Sequence, residues 1–394
     1  MNRIGRRFMT ICVAGVFTLG QAQAQFTQDE LVGKQNTITT AVPFLMISPD
    51  SRSAAMGDAG VATSPDENSI FWNVAKLGFI DKQNGLSISY APWLRSLVPD
   101  VSYSHISAFG KIDDRSVITG SFRFFSLGEI NFRDNFGGDL GSHNPKELAV
   151  DVGYATRLND NFSVGIALRY INSNLTGSQS VGGGQTQPGN AFAGDIAGFY
   201  TNTMTLNSGK ELKYNIGLSL TNLGSKITFT TDEERDFIPM NMRLGTAWEY
   251  EIDEYNSIMG TVDFNKLLVP TPPAYDDSLG LYKGKDNDVP VIQGIFQSFG
   301  DAPGGLKEEI KEINYSIGLE YWYDKQFAVR AGYFNEPETK GNRKYFTLGA
   351  GIRYKVFGLD MAYLVPMRRR HPLENQMRFS MLFDLEAFKT QGAE

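Results

Sequence analysis

The sequence predicts an all-β protein: a 14-stranded antiparallel transmembrane β-barrel whose lumen holds an N-terminal plug. Three observations predict it. From Asn84 onward, stretches of about ten residues alternate apolar and polar side chains, the period of a strand with two different faces. The links between the stretches are short and long in turn, as in barrels that keep tight turns on one side of a membrane and long loops on the other. The polar face is also rich in glycine and alanine, which suits a lumen that holds another segment.

The first 24 residues are excluded from the fold. Arg3, Arg6 and Arg7 precede the mostly apolar run Phe8 to Leu19, and Ala22-Gln23-Ala24 is a small-residue cleavage site, the pattern of a secretory signal peptide. Cys12, the only cysteine, lies inside that run and not at the cleavage site, which argues against a lipid anchor. A mature chain starting at Gln25 therefore has no disulfide and no thiolate chemistry. Loss of three arginines takes its formal charge from −7 to −10, which argues against a nucleic-acid partner. No later stretch approaches the roughly 18 consecutive apolar residues of a spanning helix. The predicted organisation is signal peptide 1–24, plug 25–84 and barrel 85–394, with both termini on the periplasmic side.

Strands are expected at 85–93, 99–112, 115–127, 146–158, 162–174, 191–205, 210–222, 239–252, 255–266, 313–324, 326–336, 343–355, 357–366 and 376–387. The second and third alternate least cleanly. Around the turn Asn159 to Asn161, pairing outward side chains with outward ones sets Val150 opposite Tyr170, Val152 opposite Leu168 and Tyr154 opposite Ile166. The same register places Asp151 opposite Arg169 in the lumen, a favourable cross-strand pair. Asn161 is expected to take the left-handed conformation this turn needs. Tyr90, Tyr170, Tyr250, Tyr323, Tyr354 and Tyr363 fall near strand ends, where aromatic girdles sit. Inward charges of both signs, among them Asp195, Arg243, Asp263, Glu320, Arg330, Asp360 and Arg378, suit salt bridges between wall and plug better than a one-sign conduit.

The plug does not alternate. Its core runs from Ser51 to Leu77, with Arg52, Met56, Gly57 and Gly60 near its start. Ser64-Pro65-Asp66 reads as a turn or helix start, and 68–77, including Trp72 and Asn73, as a short helix. Here the chain resembles the FadL-type outer-membrane barrels, whose N-terminal hatch carries an Asn-Pro-Ala-x-Leu element, matched by Asn73-Val74-Ala75-Lys76-Leu77 with valine in place of proline. More narrowly, Met56 to Asp66 followed by Trp72-Asn73 and Ala75-Lys76 resembles the PorV family of the Bacteroidetes type IX secretion system, and the likeness extends through Leu86 to Ser107 and Thr347 to Gly351.

That resemblance implies a non-enzymatic barrel beside a large outer-membrane translocon of the SprA or Sov type. It would bind cargo proteins through their type IX C-terminal domains and pass them to a PorU-type sortase attachment complex at the cell surface. The FadL likeness keeps a second function open: transport of fatty acids or other hydrophobic compounds. Many such barrels end in an aromatic residue; here Phe383 or Phe388 would serve, or the tail extends into the periplasm.

Enzyme chemistry finds little support. His105, His143 and His371 are far apart, with only His105 on an expected strand, so neither a catalytic set, a metal site nor a cofactor site is predicted. Gly182-Gly183-Gly184 has no following helix with a lysine and is not a phosphate loop. Arg368 to His371 reads either as a site for lipopolysaccharide phosphates or as a solvated basic loop, and the acidic run 232–236 as solvated. The long loop 267–312 holds Val289, Val291, Ile292, Ile295, Phe296 and Phe299. These form either a partner-binding surface or a lid over the barrel mouth.

Overall fold

The computed structural model describes residues 36–385, apart from short segments at 96–97, 134–135, 176, 178–179, 182–183, 208, 231–234, 277–280 and 369–370. The signal segment, Gly182 and Gly183, most of the acidic run, Arg369, Arg370 and Phe388 lie outside the described residues.

Fourteen strands close into one barrel. They are β1 (Asn84–Pro92), β2 (Ser102–Lys111), β3 (Ser116–Ser126), β4 (Lys146–Arg157), β5 (Phe162–Asn174), β6 (Gly189–Thr205), β7 (Glu211–Gly224), β8 (Asn241–Glu251), β9 (Asn256–Leu267), β10 (Ile313–Tyr323), β11 (Phe327–Asn335), β12 (Lys344–Tyr354), β13 (Phe357–Pro366) and β14 (Gln376–Asp384). Each pairs antiparallel with the next, and β14 closes on β1 through Leu86 opposite Phe383 and Ile88 opposite Met381. The β4–β5 register is the expected one, with Asp151 opposite Arg169 and Val152 opposite Leu168. Outward residues such as Ile106, Val152, Leu168, Ile216, Leu319 and Met381 are exposed around the circumference. An apolar surface of that extent belongs against lipid, and Tyr90, Tyr323 and Tyr354 stand exposed near strand ends.

The short turns are closed by side chains. Asp113, Asn159 and Asp253 each turn an Oδ1 onto the backbone N–H groups two and three residues on, at 2.7–3.0 Å. These bonds, led in turn by those from Arg115 N–H and the Asn256 side chain, hold the Asp113 and Asp253 carboxyls below their ordinary values. This corrects the expectation for Asn161: its φ is not positive, because the Asn159 side chain closes the turn without a left-handed residue. At the β10–β11 turn, Asp324 and Lys325 do take φ 53° and 51°, the mirror-image turn that suits strand twist.

The long loops are less plain than expected. Two-stranded hairpins lie in three of them, one formed by Ile130–Arg133 and Asp139–His143. His143 is thus on a strand, and His105 is not the only one that is. Loop 267–312 carries a hairpin (Ala274–Asp276 with Leu281–Lys283) and two short helices, treated below. Apolar runs too short to be told from loop by periodicity become structured once the barrel rim supports them.

The core of the described segment before β1, residues 50–80, lies inside the barrel. The expected helix over 68–77 is two pieces, α2 (Ser69–Trp72) and a 3-10 turn (Val74–Phe79). Asn73 breaks them apart: its backbone is extended at φ −163°, and its side chain caps the second piece at Ala75 N–H. Val74 occupies the first position of that turn, where a proline is also accommodated. A further one-turn helix, α1 (Ser51–Ala54), is capped by Asp50. The first described residue, Asn36, donates to Thr339 O and Pro272 O, at the long-loop end, while β14 finishes at the short-turn end.

Candidate functional site

Two regions of the lumen and mouth carry the chemistry. The first is the seat of the hatch. Small wall residues let it approach: a Cβ on Gly165 would lie 2.8 Å from Val74 Cγ1, and one on Gly318 2.8 Å from Met56 O. A Cβ on Gly217 would collide with Val61 O, and one on Gly332 with Gly57 N. Met56, Ala59, Val61, Ala75 and Leu77 are fully buried as a result.

Charge fixes the seat. Arg52 grips Glu320 of β10 with Nε and Nη2 at 2.9 and 2.7 Å and holds Asp66 of the hatch through Nη1 at 3.0 Å. Glu320 also accepts from Arg330 Nε at 2.6 Å, Arg330 donates to Asp360 at 2.8 Å, and Arg353 reaches Asp360 at 2.7 Å. This is a planar-fork network in which each buried charge has a partner of opposite sign. Asp263 of β9 accepts from Gly60 N–H and Val61 N–H at 2.7 and 2.9 Å. Asn73 donates to Val61 O and Gly198 O, both at 3.1 Å, and Trp72 Nε1 donates to Asp50 at 2.6 Å. Lys76, wholly buried, donates to Gly60 O and Thr63 Oγ1 at 2.9 Å.

On the opposite wall, Asp151 pairs with Arg169 and accepts from Arg123 Nη2 at 3.1 Å, while Arg169 reaches Asp195 at 2.8 Å. A bulge in the β6–β7 ladder, where Asn222 takes φ 59°, brings Asn222 onto Asp195 at 2.7 Å. Arg123 was not among the inward charges read from sequence, because β3 alternates poorly there. Arg123 and Arg243 both lie over the Phe71 ring of α2, at 5.5 and 4.9 Å.

The second region is the lid. Loop 267–312 carries α3 (Val291–Gln297) and α4 (Leu306–Ile310). The α3 helix is apolar on two sides. Val289, 8% exposed, joins a cluster with Phe44, Leu45, Phe237, Ile238, Leu268 and Val269 that fills the barrel mouth, and Val291 and Ile295 pack against it. Gly294 rests on Phe237: a Cβ there would sit 2.9 Å from the ring. The other side faces outward, with Ile292 72% exposed, Phe296 75% and Phe299 52%. The set expected to bind a partner therefore divides. Val289, Val291 and Ile295 form the lid's underside, and only Ile292, Phe296 and Phe299 are accessible. Leu306 and Ile310 of α4, not singled out from sequence, are exposed too.

The lid is clamped. Lys266 bonds Glu312 at 2.7 Å, and Lys340 bonds Glu308 and Glu312 at 2.6 and 2.9 Å. Burial opposes charge on Glu312, but the bonds from Lys266 and Thr271 prevail and hold its carboxyl below its ordinary value. Glu309 accepts from Asp301 N–H and Ala302 N–H at 2.7 and 2.8 Å.

Among the described residues, no cluster of three or more histidine, cysteine or acidic side chains could hold a metal. His105 is buried with both ring nitrogens unpartnered, and Ser107 bonds Asn68 at 3.1 Å instead.

Comparison with known proteins adds the family. A family model described as type IX secretion system protein PorV matches residues 30–274. No curated protein matches the chain. Among solved structures, the toluene transporter TodX of Pseudomonas putida is 13% identical at a TM-score of 0.46, over 84% of this chain and 95% of that one. The toluene transporter TbuX of Ralstonia pickettii is 13% identical at 0.41, over 84% and 97%. A FadL homologue of Pseudomonas aeruginosa is 11% identical at 0.41, over 89% and 99%.

Proposed function

The chain belongs to the PorV family of type IX secretion system proteins, and on that premise we propose that this outer-membrane barrel is a non-enzymatic docking component that binds exported cargo through its type IX C-terminal domain. It receives that cargo beside a large translocon and delivers it to a PorU-type attachment complex at the surface. One observation carries the reading: α3 and the turn after it expose Ile292, Phe296 and, more partially, Phe299 on a loop whose other face is packed and clamped. Apolar side chains held rigidly outward are the usual core of a protein interface, and the long-loop end of an outer-membrane barrel faces the outside, where cargo emerges.

Transport of a hydrophobic compound would need an apolar pocket in the barrel and a lateral opening of the wall beside the hatch. The seat is instead crossed by buried ion pairs between Arg52, Glu320, Arg330 and Asp360. The test is affinity purification of the tagged protein from outer membranes in mild detergent, with mass spectrometry of proteins and lipids. Recovery of a very large barrel protein, or of exported proteins retaining their C-terminal domain, is the expected result. Recovery of the barrel alone with stoichiometric fatty acid would overturn it.

A further inference from the structure

Docking through α3 leaves α4 without a role. This helix stands on the rim of the wall, not over the mouth. Lys266, at the top of β9, lies opposite Met242 in the same outward phase as Phe264 and Leu244. It holds α4 and the residues after it through Glu309 at 3.3 Å and Glu312 at 2.7 Å. The chain then enters β10 at Ile313. Just below, the outer face of β10, β11 and β12 carries the aromatic cluster Tyr315, Tyr333 and Phe346, with ring centroids 6.2 and 5.1 Å apart. Aromatic rings at a strand end mark the level where acyl chains give way to headgroups.

The side chains around α4 divide by chemistry. The carboxylates turn onto the barrel: Glu308 accepts from Lys340 at 2.6 Å, Glu309 from Asp301 N–H and Ala302 N–H, and Glu312 from Lys266 and Lys340. Leu306 and Ile310 turn away from it, 76% and 61% exposed. Lys307 and Lys311 are exposed beside them, and neither has an ion-pair partner among the described residues. Residues four apart share one side of a helix, so an apolar ridge and a basic ridge run side by side. With the acids tied inward, two positive charges stand uncompensated on a chain whose formal charge is −7. Exposed carboxylates Asp286 and Asp288 lie at the other end of the lid, before α3, where Lys226 bonds Asp288 at 2.9 Å.

An apolar ridge flanked by lysines fits a membrane surface of anionic lipid: the aliphatic side chains enter the acyl boundary and the ammonium groups reach phosphate. Position favours lipid over a protein partner, because the ridge continues the lipid-facing wall of β10 through Ile313 and Tyr315. We propose that α4 seats in the outer leaflet and binds lipid A. Leu306 and Ile310 lie at the top of its acyl chains, and Lys307 and Lys311 hold its phosphates. The lid is then fixed to the membrane along one edge, with α3 left free for docking. This goes beyond the docking function and does not depend on it.

The full barrel, purified in detergent and stripped of lipid, is titrated with lipid A and with the same lipid after removal of its phosphates. Bound lipid is counted by native mass spectrometry. Saturable binding is expected, about tenfold weaker without the phosphates, the loss of a charge-assisted bond. Lys307→Gln with Lys311→Gln should weaken lipid A by a similar factor and leave the dephosphorylated lipid unchanged. Leu306→Ser with Ile310→Ser should weaken both lipids, and Arg368→Gln, in another outer loop, neither. These side chains are exposed, so an unchanged urea midpoint is expected in each variant. No saturable binding, equal affinity for the two lipids, or dependence on Arg368 in place of the two lysines would overturn the proposal. So would Leu306→Ser with Ile310→Ser losing cargo while lipid A still binds, which would make α4 a protein contact.

Discussion

The hatch and the lid both close this barrel, but they are held by different chemistry. The hatch is seated by charge: Asp66, Arg52, Glu320, Arg330 and Asp360 form one buried chain from plug to wall. The lid rests on apolar contacts, with Gly294 against Phe237 and Val289 in the mouth cluster, and its ion pairs lie at the rim. The hatch spends its polar groups on the barrel wall and on itself. The lid keeps one apolar side in reserve, and that unsatisfied side is what an interface needs.

The contrast can be broken from either end. The largest effect is expected from Glu320→Ala, which leaves Arg52 and Arg330 buried without their shared carboxylate. Such a deletion costs about 3–5 kcal/mol, read as a lower urea midpoint of the detergent-folded barrel. Val150→Arg, on the lipid face, should cost about 2–4 kcal/mol near mid-membrane. A negligible change in refolding stability there would count against the outward assignment of β4. Next comes Gly318→Val, which presses a side chain onto Met56. It should cost about 1–3 kcal/mol by overpacking, and faster hydrogen exchange should be confined to residues 51–63. The smallest stability change belongs to Ile292→Asp with Phe296→Ser. Exposed positions of this kind shift stability by about 0.5 kcal/mol or less, so an unchanged urea midpoint is expected alongside weaker partner recovery.

How much of this the sequence discloses differs between the same two regions. The strands and the β4–β5 register follow from alternation alone, because lipid outside and polar lumen inside impose a strict period of two. The plug in the lumen is foreshadowed by Gly165, Gly217, Gly245 and Gly318, whose missing side chains make sense only if something comes close. The partners of that plug are not foreshadowed. Arg52 meets Glu320 across 268 residues of chain, and no local pattern records such a pairing. Arg123 escapes notice because the neighbouring aromatic residues of β3 blur its alternation. In the lid, the apolar residues stand out by type. Their division into Val289, Val291 and Ile295 beneath and Ile292, Phe296 and Phe299 above depends on a seven-residue helix too short for its period to show. The Asn159 turn fails for a related reason: a side-chain hydrogen bond replaces the backbone conformation that composition suggests.

The measurement that tests the central claim most directly is cargo export by cells carrying Ile292→Asp, Phe296→Ser and Phe299→Ser together, with insertion of the barrel checked by heat-modifiable migration. The account predicts a normally inserted barrel that no longer retains cargo, with exported proteins missing from the cell surface. Unchanged export by a correctly inserted triple variant would contradict it and remove the lid's outer face from the mechanism.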